Sequence, residues 1–168
     1  TVFRLIKTLE ELEFLERASD GAYQLGAAVL RVGFEYLASQ EITEIAAATM
    51  QKLRDRTGLA VQLSVRDGRD AVVVSKMSAA SAFASSVQVG TRFPLHATAY
   101  GRALLAGMTS ADLKKIFPEA RLPAVSANTP RSLAALSKLL AQDRARGCVV
   151  SESFFERNIS AVVAPVRD

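Results

Sequence analysis

The stretch from Phe93 to Gly107, FPLHATAYGRALLAG, constrains the fold more than any other part of this sequence. Pro94 favours an extended conformation at Phe93, because the residue before a proline is sterically kept out of the helical region. Thr98 is a good N-cap residue, helix-forming residues follow it, and Gly107 can end the helix. The sequence therefore predicts an extended segment that turns directly into a helix whose first backbone N–H groups are unpaired.

This helix start has two interpretations. The N–H groups of Ala99, Tyr100 and Gly101 together with the helix dipole can hold an anion, and the small residues Ala99 and Gly101 would let a ligand approach the backbone. The alternative is an ordinary capped helix that packs against a sheet.

The N-terminal part predicts a helix followed by a small hairpin. Within residues 1–13 the apolar positions recur at helical spacing. They are Val2, Leu5, Ile6, Leu9 and Leu12. Residues 14–17 and 23–25 read as strands around the turn signal Ser19-Asp20-Gly21. Helix, strand, turn and strand form the back half of a winged helix-turn-helix. A second apolar helix is predicted over residues 27–39.

Residues 41–57 predict a long amphipathic helix that Gly58 ends. Its inward positions are Ile42, Ile45, Ala46, Thr49, Met50 and Leu53. Apolar and polar residues then alternate over 61–66, and Asp67-Gly68 turns the chain into a partner strand over 71–77. An Asp-Gly pair between two such runs is a strong hairpin signal.

The small, polar residues 78–92 predict a loop that leads into a strand over 86–89. Phe83, Ser85 and Val87 would share one face if this segment is extended, and they could line a pocket. Further on, we expect helices over 111–117 and 130–146, capped by Ser110 and Thr129, and strands over 148–151 and 159–166. The inward residues of the longer helix are Leu133, Leu136, Leu140 and Ala141.

The composition excludes several classes of function. The single cysteine, Cys148, cannot form an intramolecular disulfide and fits a reducing cytosol, where we expect it to be buried and inert. The sequence has no apolar run long enough for a membrane span. His96 is the only histidine and has no cluster of metal ligands around it, so we expect a structural or pocket-wall role, no metal and no cofactor. We also expect both ends to be truncated, since the chain begins at Thr1 within an apparent motif.

The central stretch resembles the effector-domain signature of the IclR family of bacterial transcriptional regulators, L-P-x-H-A-[ST]-A-x-G-[KR]-A-[LF]-L-A. The matching residues are Pro94, His96, Ala97, Thr98, Ala99, Gly101, Arg102, Ala103, Leu105 and Ala106. Phe93 stands where leucine is usual.

Three other parts of the chain resemble the same family. Residues 1–15 resemble the end of its DNA-binding domain, with Glu13 in place of the glycine that usually precedes the aromatic residue. Residues 56–68 resemble its hairpin motif, E-T-G-x-x-[VA]-x-L-x-V-x-[DE]-G, with Arg56 replacing the glutamate. Residues 144–166 resemble its ending, with Ser151 where an acid is common and Asn158 where a glycine is common.

The resemblance implies an α+β chain in three parts. Residues 1–26 would be the C-terminal part of a winged helix-turn-helix, and 27–40 a linker and dimerisation helix. Residues 41–168 would be an effector-binding domain with a GAF-like or profilin-like fold, in which helices cover one side of a curved antiparallel sheet. The protein would be a cytoplasmic regulator, dimeric or tetrameric, whose hold on its operator changes when a small molecule binds.

The resemblance also makes residues 1–13 the recognition helix. Thr1, Phe3 and Arg4 would then face the major groove, with Lys7 near phosphate. Residues 1–40 carry four basic and six acidic side chains. We therefore expect this chain by itself to bind operator DNA weakly. Without the resemblance, the favoured interpretation is that Arg4 and Lys7 are solvated residues on an amphipathic surface helix, where charged side chains are expected.

For the effector we predict a small carboxylate-bearing molecule. Its anion would lie on the N–H groups of Ala99 and Tyr100. Thr98, Ser85, Ser151 and Ser160 would add hydrogen bonds, and the apolar walls would be Phe83, Val87, Phe93, Tyr100 and Ala161. Family members that bind small oxo-acids often have an acid and a cysteine opposite the helix, where this chain has Ser151 and Ala161. That difference favours a bulkier or aromatic acid.

Two other classes of function stay open from the sequence. An enzyme, such as a hydrolase that uses a serine with His96, would need that histidine within about 3 Å of a serine hydroxyl and an acid. A pure oligomerisation module would show an apolar surface and no ligand site. We predict no catalytic residues.

Overall fold

The computed structural model describes residues 1–79, 87–119, 121–152, 154–155 and 159–167. The chain divides into two compact units, Thr1–Thr49 and Met50–Asp168. Among the helices described in these ranges, none has both the length and the apolar character that crossing a membrane requires.

The first unit begins with helix α1, Val2–Glu11, and a two-stranded antiparallel sheet of β1, Leu15–Arg17, and β2, Tyr23–Leu25. The turn between the strands contains Gly21 with φ +84°, as the turn signal predicted. Helix α2, Ala28–Ala38, follows, and α3, Glu41–Thr57, runs on into the second unit.

The apolar faces of these helices are mostly exposed. Neither α1 nor α2 contains a buried residue, and α3 buries only Met50. The expectation that Ile45, Thr49 and Leu53 face inward is wrong for this chain, since Ile45 and Leu53 are 75% and 48% exposed and Thr49 is also exposed. Periodicity identifies the apolar side of a helix, but it does not show whether anything in the same chain covers it.

The second unit contains a three-stranded antiparallel sheet in the order β3, Val61–Asp67; β4, Asp70–Met77; and β5, Arg92–Pro94. The predicted hairpin joins β3 to β4. Gly68 has φ +59° at the first central position of its two-residue turn, the position that a type II′ turn reserves for glycine. The strand predicted over 86–89 is not found at residues 87–89, because Val89 and Gly90 form a turn; Ser86 lies outside the described residues.

Four helical segments follow β5 in the part of the chain that the structure describes. A single 3₁₀ turn, Leu95–Ala97, leads into α4, Ala99–Leu105, and then come α5, Ser110–Ile116, and α6, Leu133–Arg146. Two predicted caps are wrong. Thr109 caps α5 instead of Ser110, and Ser132 caps α6 instead of Thr129. The Thr129 hydroxyl instead accepts the N–H groups of Val125 and Ser126, which holds a turn in place before the helix.

The last two strands, β6, Val149–Glu152, and β7, Ser160–Val163, form a separate antiparallel pair. The described strands therefore form the predicted hairpin β1–β2 in the first unit and two small antiparallel sheets in the second, where a curved antiparallel sheet was predicted. The main core joins the 3₁₀ turn and α4 to α5 and α6. Its fully buried members are Ala71 of β4 and the large side chains of Leu95, Leu105, Phe117, Leu136 and Leu140. Ala141 is exposed, contrary to its predicted inward position.

Candidate functional site

Helix α4 lies at the centre of the second unit and contacts β3, β4, β5, β6, β7 and α6. As predicted, Thr98 is its N-cap: the side-chain oxygen accepts the N–H of Gly101 at 3.2 Å and donates to the Pro94 carbonyl at 3.1 Å. The cap therefore uses the N–H of Gly101. The anion hypothesis accordingly depends on the N–H groups of Ala99 and Tyr100.

Gly101 serves packing rather than ligand access. A Cβ atom at this position would lie 2.0 Å from the Leu95 carbonyl oxygen and 2.2 Å from the Leu95 Cα. The residue is buried, and its missing side chain lets the 3₁₀ turn lie directly on α4. The expectation that Gly101 opens the backbone to a ligand is therefore replaced by a close contact between two backbones.

An aromatic cluster lies beside the start of α4. The rings of Phe93 and Tyr100 stack with centroids 5.4 Å apart, and the Phe155 ring meets Phe93 edge-on at 5.5 Å. The Tyr100 hydroxyl donates to Oε1 of Gln62 on β3, and burial raises the pKa of this phenol. Phe155 and Gln62 were not predicted from the sequence. The sequence signal for Gln62 is its place among the polar residues that alternate with apolar ones along β3.

The pair β6–β7 presents one face to α4. Ala99 and Ala103 of α4 pack with Val149, Ala161 and Val163. Ser151 pairs directly with Ala161 in the strand register and is buried, at 7% exposure. Ser160, predicted to bond the ligand, lies on the opposite, exposed face of β7, because side chains alternate along a strand.

Six of the predicted effector residues therefore gather around α4 within one unit. They are Phe93, Thr98, Ala99, Tyr100, Ser151 and Ala161. Val87 is half-buried, and its carbonyl accepts a hydrogen bond from Nζ of Lys76 at 2.6 Å. Phe83 and Ser85 lie outside the described residues.

A buried ion pair next to this site was missed at the sequence level. Arg102 donates from Nε and Nη2 to the two carboxylate oxygens of Asp143 on α6, at 2.8 and 2.6 Å, and both residues are at most 5% exposed. The Arg102 guanidinium carbon also lies 4.9 Å from the ring centre of Phe154. The available signal was Asp143 itself, which continues the inward stripe of Leu136 and Leu140 at helical spacing.

His96 is buried and hydrogen-bonded, which fits the structural or pocket-wall role expected for it. Its Nε2 lies 2.9 Å from the Pro123 carbonyl oxygen, and its ring meets the edge of Phe117. A carbonyl thus occupies the place that a serine hydroxyl would need in a Ser–His hydrolase. Within the described residues, no group of three or more His, Cys, Asp or Glu side chains could hold a metal ion.

The four predicted DNA-facing residues, Thr1, Phe3, Arg4 and Lys7, are all exposed on α1. Lys7 forms a loose ion pair with Glu11 at 3.9 Å. An open depression of about 340 Å³ is lined by Thr1, Arg4, Leu5 and Thr8. This surface is accessible in the first unit, which is compatible with a contact to DNA and equally with a solvated helix.

Comparison with known proteins identifies one family. The sequence model described as bacterial transcriptional regulator IclR C-terminal matches residues 34–168. The HTH-type transcriptional regulator XynR of Escherichia coli K12 is 29% identical over 167 residues, which are 99% of this chain and 66% of XynR. The chain thus spans slightly less than two thirds of that relative's length.

Two solved structures share the fold. The IclR structure of Thermotoga maritima has a TM-score of 0.80 and 27% identity, covering 99% of this chain and 67% of that one. An IclR homologue of Microbacterium hydrocarbonoxydans, solved as a complex with 4-hydroxybenzoate, has a TM-score of 0.81 at 23% identity, covering 98% of this chain and 68% of that one. The α+β architecture predicted from the sequence is confirmed by these likenesses.

Proposed function

Since this chain belongs to the IclR family of bacterial transcriptional regulators, we propose that it is the sensor part of a DNA-binding regulator that responds to a small carboxylate-bearing metabolite. The observation that carries the proposal is the family match over 34–168, which includes all of the site around α4. The relatives are transcriptional regulators, and His96 lacks a serine partner at Nε2. Both points favour sensing over catalysis.

The composition of the site favours an aromatic acid. Stacked and edge-on rings of Phe93, Tyr100 and Phe155 suit a flat apolar ligand body. The Tyr100 hydroxyl, Gln62 and the buried Ser151 provide a few polar groups that could fix its orientation. The Microbacterium homologue binds 4-hydroxybenzoate, which makes that acid a suitable first probe.

The remaining parts of the proposal concern the whole protein. Residues 1–26 would form the C-terminal part of a winged helix-turn-helix. Residues 27–40 would link this part to the effector-binding domain, residues 41–168, and contribute to the dimer contact. The exposed side chains of Thr1, Phe3, Arg4 and Lys7 support a DNA-facing role for α1. The exposed apolar face of α2, which includes Leu30 and Phe34, supports a homodimer or tetramer. Such a regulator would work in the cytoplasm.

The first test is thermal unfolding of the chain with a panel of small acids that includes 4-hydroxybenzoate, benzoate and aliphatic oxo-acids. Benzamide and 4-hydroxybenzyl alcohol serve as matched controls that lack the carboxylate. A ligand that binds only the native state adds about 2.7 kcal/mol at about 100 times its Kd. Stabilisation by an acid that is recovered unchanged supports a sensor. Conversion of the acid would favour the enzyme, and stabilisation by the neutral controls alone would rule out the carboxylate.

The anion position predicted from the sequence needs a separate test. Ala99→Pro deletes one N–H at the first helical position, where proline is tolerated. Thr98 already has φ −132° and ψ 158°, the conformation that a residue before proline prefers. Ala99→Gly is the control that keeps the N–H. Titration calorimetry with any acid that stabilises the chain should show weaker binding for the proline variant only. Equal affinities would mean that the carboxylate lies elsewhere.

A further inference from the structure

We propose that Arg102 is a positioning residue: through its ion pair with Asp143 it fixes Phe154, and thereby holds the adjacent Phe155 as the aromatic wall of the candidate site. The effect on ligand selection rests on the proposed function above. The positioning itself does not, and it can be measured without any ligand.

The first step is the orientation of the guanidinium. Two charge-assisted hydrogen bonds to the same carboxylate fix both the position and the plane of the Arg102 head group. Because Asp143 is 2% exposed and Arg102 is 5% exposed, water competes little for these bonds. The fixed plane lies over the ring of Phe154, with 4.9 Å between the guanidinium carbon and the ring centre. A desolvated cation over an aromatic face is an attractive contact.

The second step is the backbone of the connection between β6 and β7. Phe154 is itself buried, and its carbonyl accepts a hydrogen bond from the Ser126 hydroxyl at 2.5 Å. Its neighbour Phe155 places its ring edge-on against Phe93 at 5.5 Å. Consecutive Cα atoms are only about 3.8 Å apart, so a displacement of Phe154 must be transmitted to Phe155. Phe154 is thus held by Arg102 of α4, and its neighbour Phe155 contacts Phe93, whose ring stacks on Tyr100 of α4.

The ion pair alone would not establish this role, since buried pairs can be structural without a further task. The chain offers a matched comparison in Arg144, which also joins α6 to the end of α4. Its Nε and Nη2 donate to the carbonyl oxygens of Ala106 and Met108, at 2.7 and 3.3 Å. In the described part of the chain, Arg144 therefore bonds to main-chain atoms, whereas Arg102 also contacts an aromatic ring.

The experiment uses a fluorescent reporter. The chain contains no tryptophan, so Phe155→Trp introduces a single indole whose emission maximum and quenching by acrylamide report its environment. In this background Arg102→Lys, Asp143→Asn and Phe154→Leu should each shift the emission to the red and increase quenching. Arg144→Lys should leave both unchanged. Asp143→Asn and Phe154→Leu keep the test valid if the Arg102 variant does not fold.

The proposal is overturned if the variants of Arg102, Asp143 and Phe154 unfold more easily while the emission and quenching of the folded state stay as in the parent. It is also overturned if Arg144→Lys gives the same red shift, because the effect would then reflect general loosening of the contact between α4 and α6. A shift confined to the first three variants supports it.

Ligand selection is measured separately with 4-hydroxybenzoate and cyclohexanecarboxylate, which carry the same charge on an aromatic and a saturated ring. For Arg102→Lys with native Phe155, we expect the preference for the aromatic acid to fall about tenfold, comparable to the loss of one contact between two aromatic rings. If the preference for the aromatic acid is unchanged while Arg102→Lys shifts the indole emission of the Phe155→Trp background to the red, Arg102 positions Phe155 but does not affect ligand selection. Failure of both acids to bind the parent chain would count against the proposed ligand class, while the reporter still decides the positioning.

Discussion

Helices α4 and α1 differ in what determines their conformation. Five of the seven residues of α4 are buried, whereas none of the ten residues of α1 is. The N-cap Thr98 accepts a backbone N–H with its side chain, while the N-cap Thr1 makes no such bond. Arg102 on α4 is paired within the interior, whereas Lys7 on α1 forms an exposed ion pair.

This difference suits the two helices to different roles: α4 has a fixed geometry within the candidate site, and α1 presents an exposed surface. A seven-residue helix is too short to be stable by propensity, so the conformation of α4 must come from tertiary contacts. Those contacts give the candidate site a defined geometry inside one unit. Helix α1 has a regular apolar stripe, yet Val2 and Leu5 remain more than half exposed. Its side chains are presented outward, as a contact surface requires.

Removing the buried acid should have the largest effect. Asp143→Ala leaves the Arg102 guanidinium buried without its carboxylate, and breaking a buried pair in this way costs about 3–5 kcal/mol. The matched change on α1 is Glu11→Ala, which removes the partner of Lys7 from a pair whose side chains are about two thirds exposed. Its effect should stay within about 0.5 kcal/mol. Urea unfolding followed by circular dichroism measures both. Equal losses would contradict the contrast between the two helices.

The next effect comes from adding one carbon atom. Gly101→Ala places a Cβ about 2.0 Å from the Leu95 carbonyl oxygen, where backbone must move. We expect a loss of about 2–3 kcal/mol in the free energy of unfolding, typical of overpacking in a core.

The control for that change is Gly33→Ala in the interior of α2, where nothing lies within 4 Å of the added carbon. Alanine is the better helix former, so this variant should gain about 1 kcal/mol. If the free energy of unfolding falls for Gly101→Ala and rises for Gly33→Ala, tertiary contacts determine the effect in α4 and helix propensity determines it in α2. A stable Gly101→Ala variant would show that the 3₁₀ turn can move away from α4.

These examples show which features a sequence reveals. The cap at Thr98, the turn at Gly68 and the hairpin are local, so residue types within a few positions predicted them. The Arg102–Asp143 pair joins residues 41 positions apart, and no local pattern contains it. The exposure of Ile45 and Leu53 could not be predicted either. The spacing of apolar residues shows which side of a helix is apolar, but not whether another part of the chain packs on that side. Ser160 was misplaced for a smaller reason: a shift of one residue along a strand reverses its face.

A smaller effect than at Asp143 or Gly101 is expected at the end of α1, where local backbone geometry alone is at issue. Glu13 has φ +62°, and its N–H and that of Phe14 donate to the carbonyls of Glu10 and Leu9. This is the Schellman arrangement, in which the left-handed position is usually a glycine. A side chain there costs about 1 kcal/mol, so Glu13→Gly should stabilise the first unit by roughly that amount. Glu10→Gly makes the same chemical change at a right-handed helical residue and should destabilise by a similar amount. Amide hydrogen exchange in residues 2–17 resolves both changes, and a loss of protection in Glu13→Gly would show that the carboxylate, not the backbone, stabilises this end of the helix.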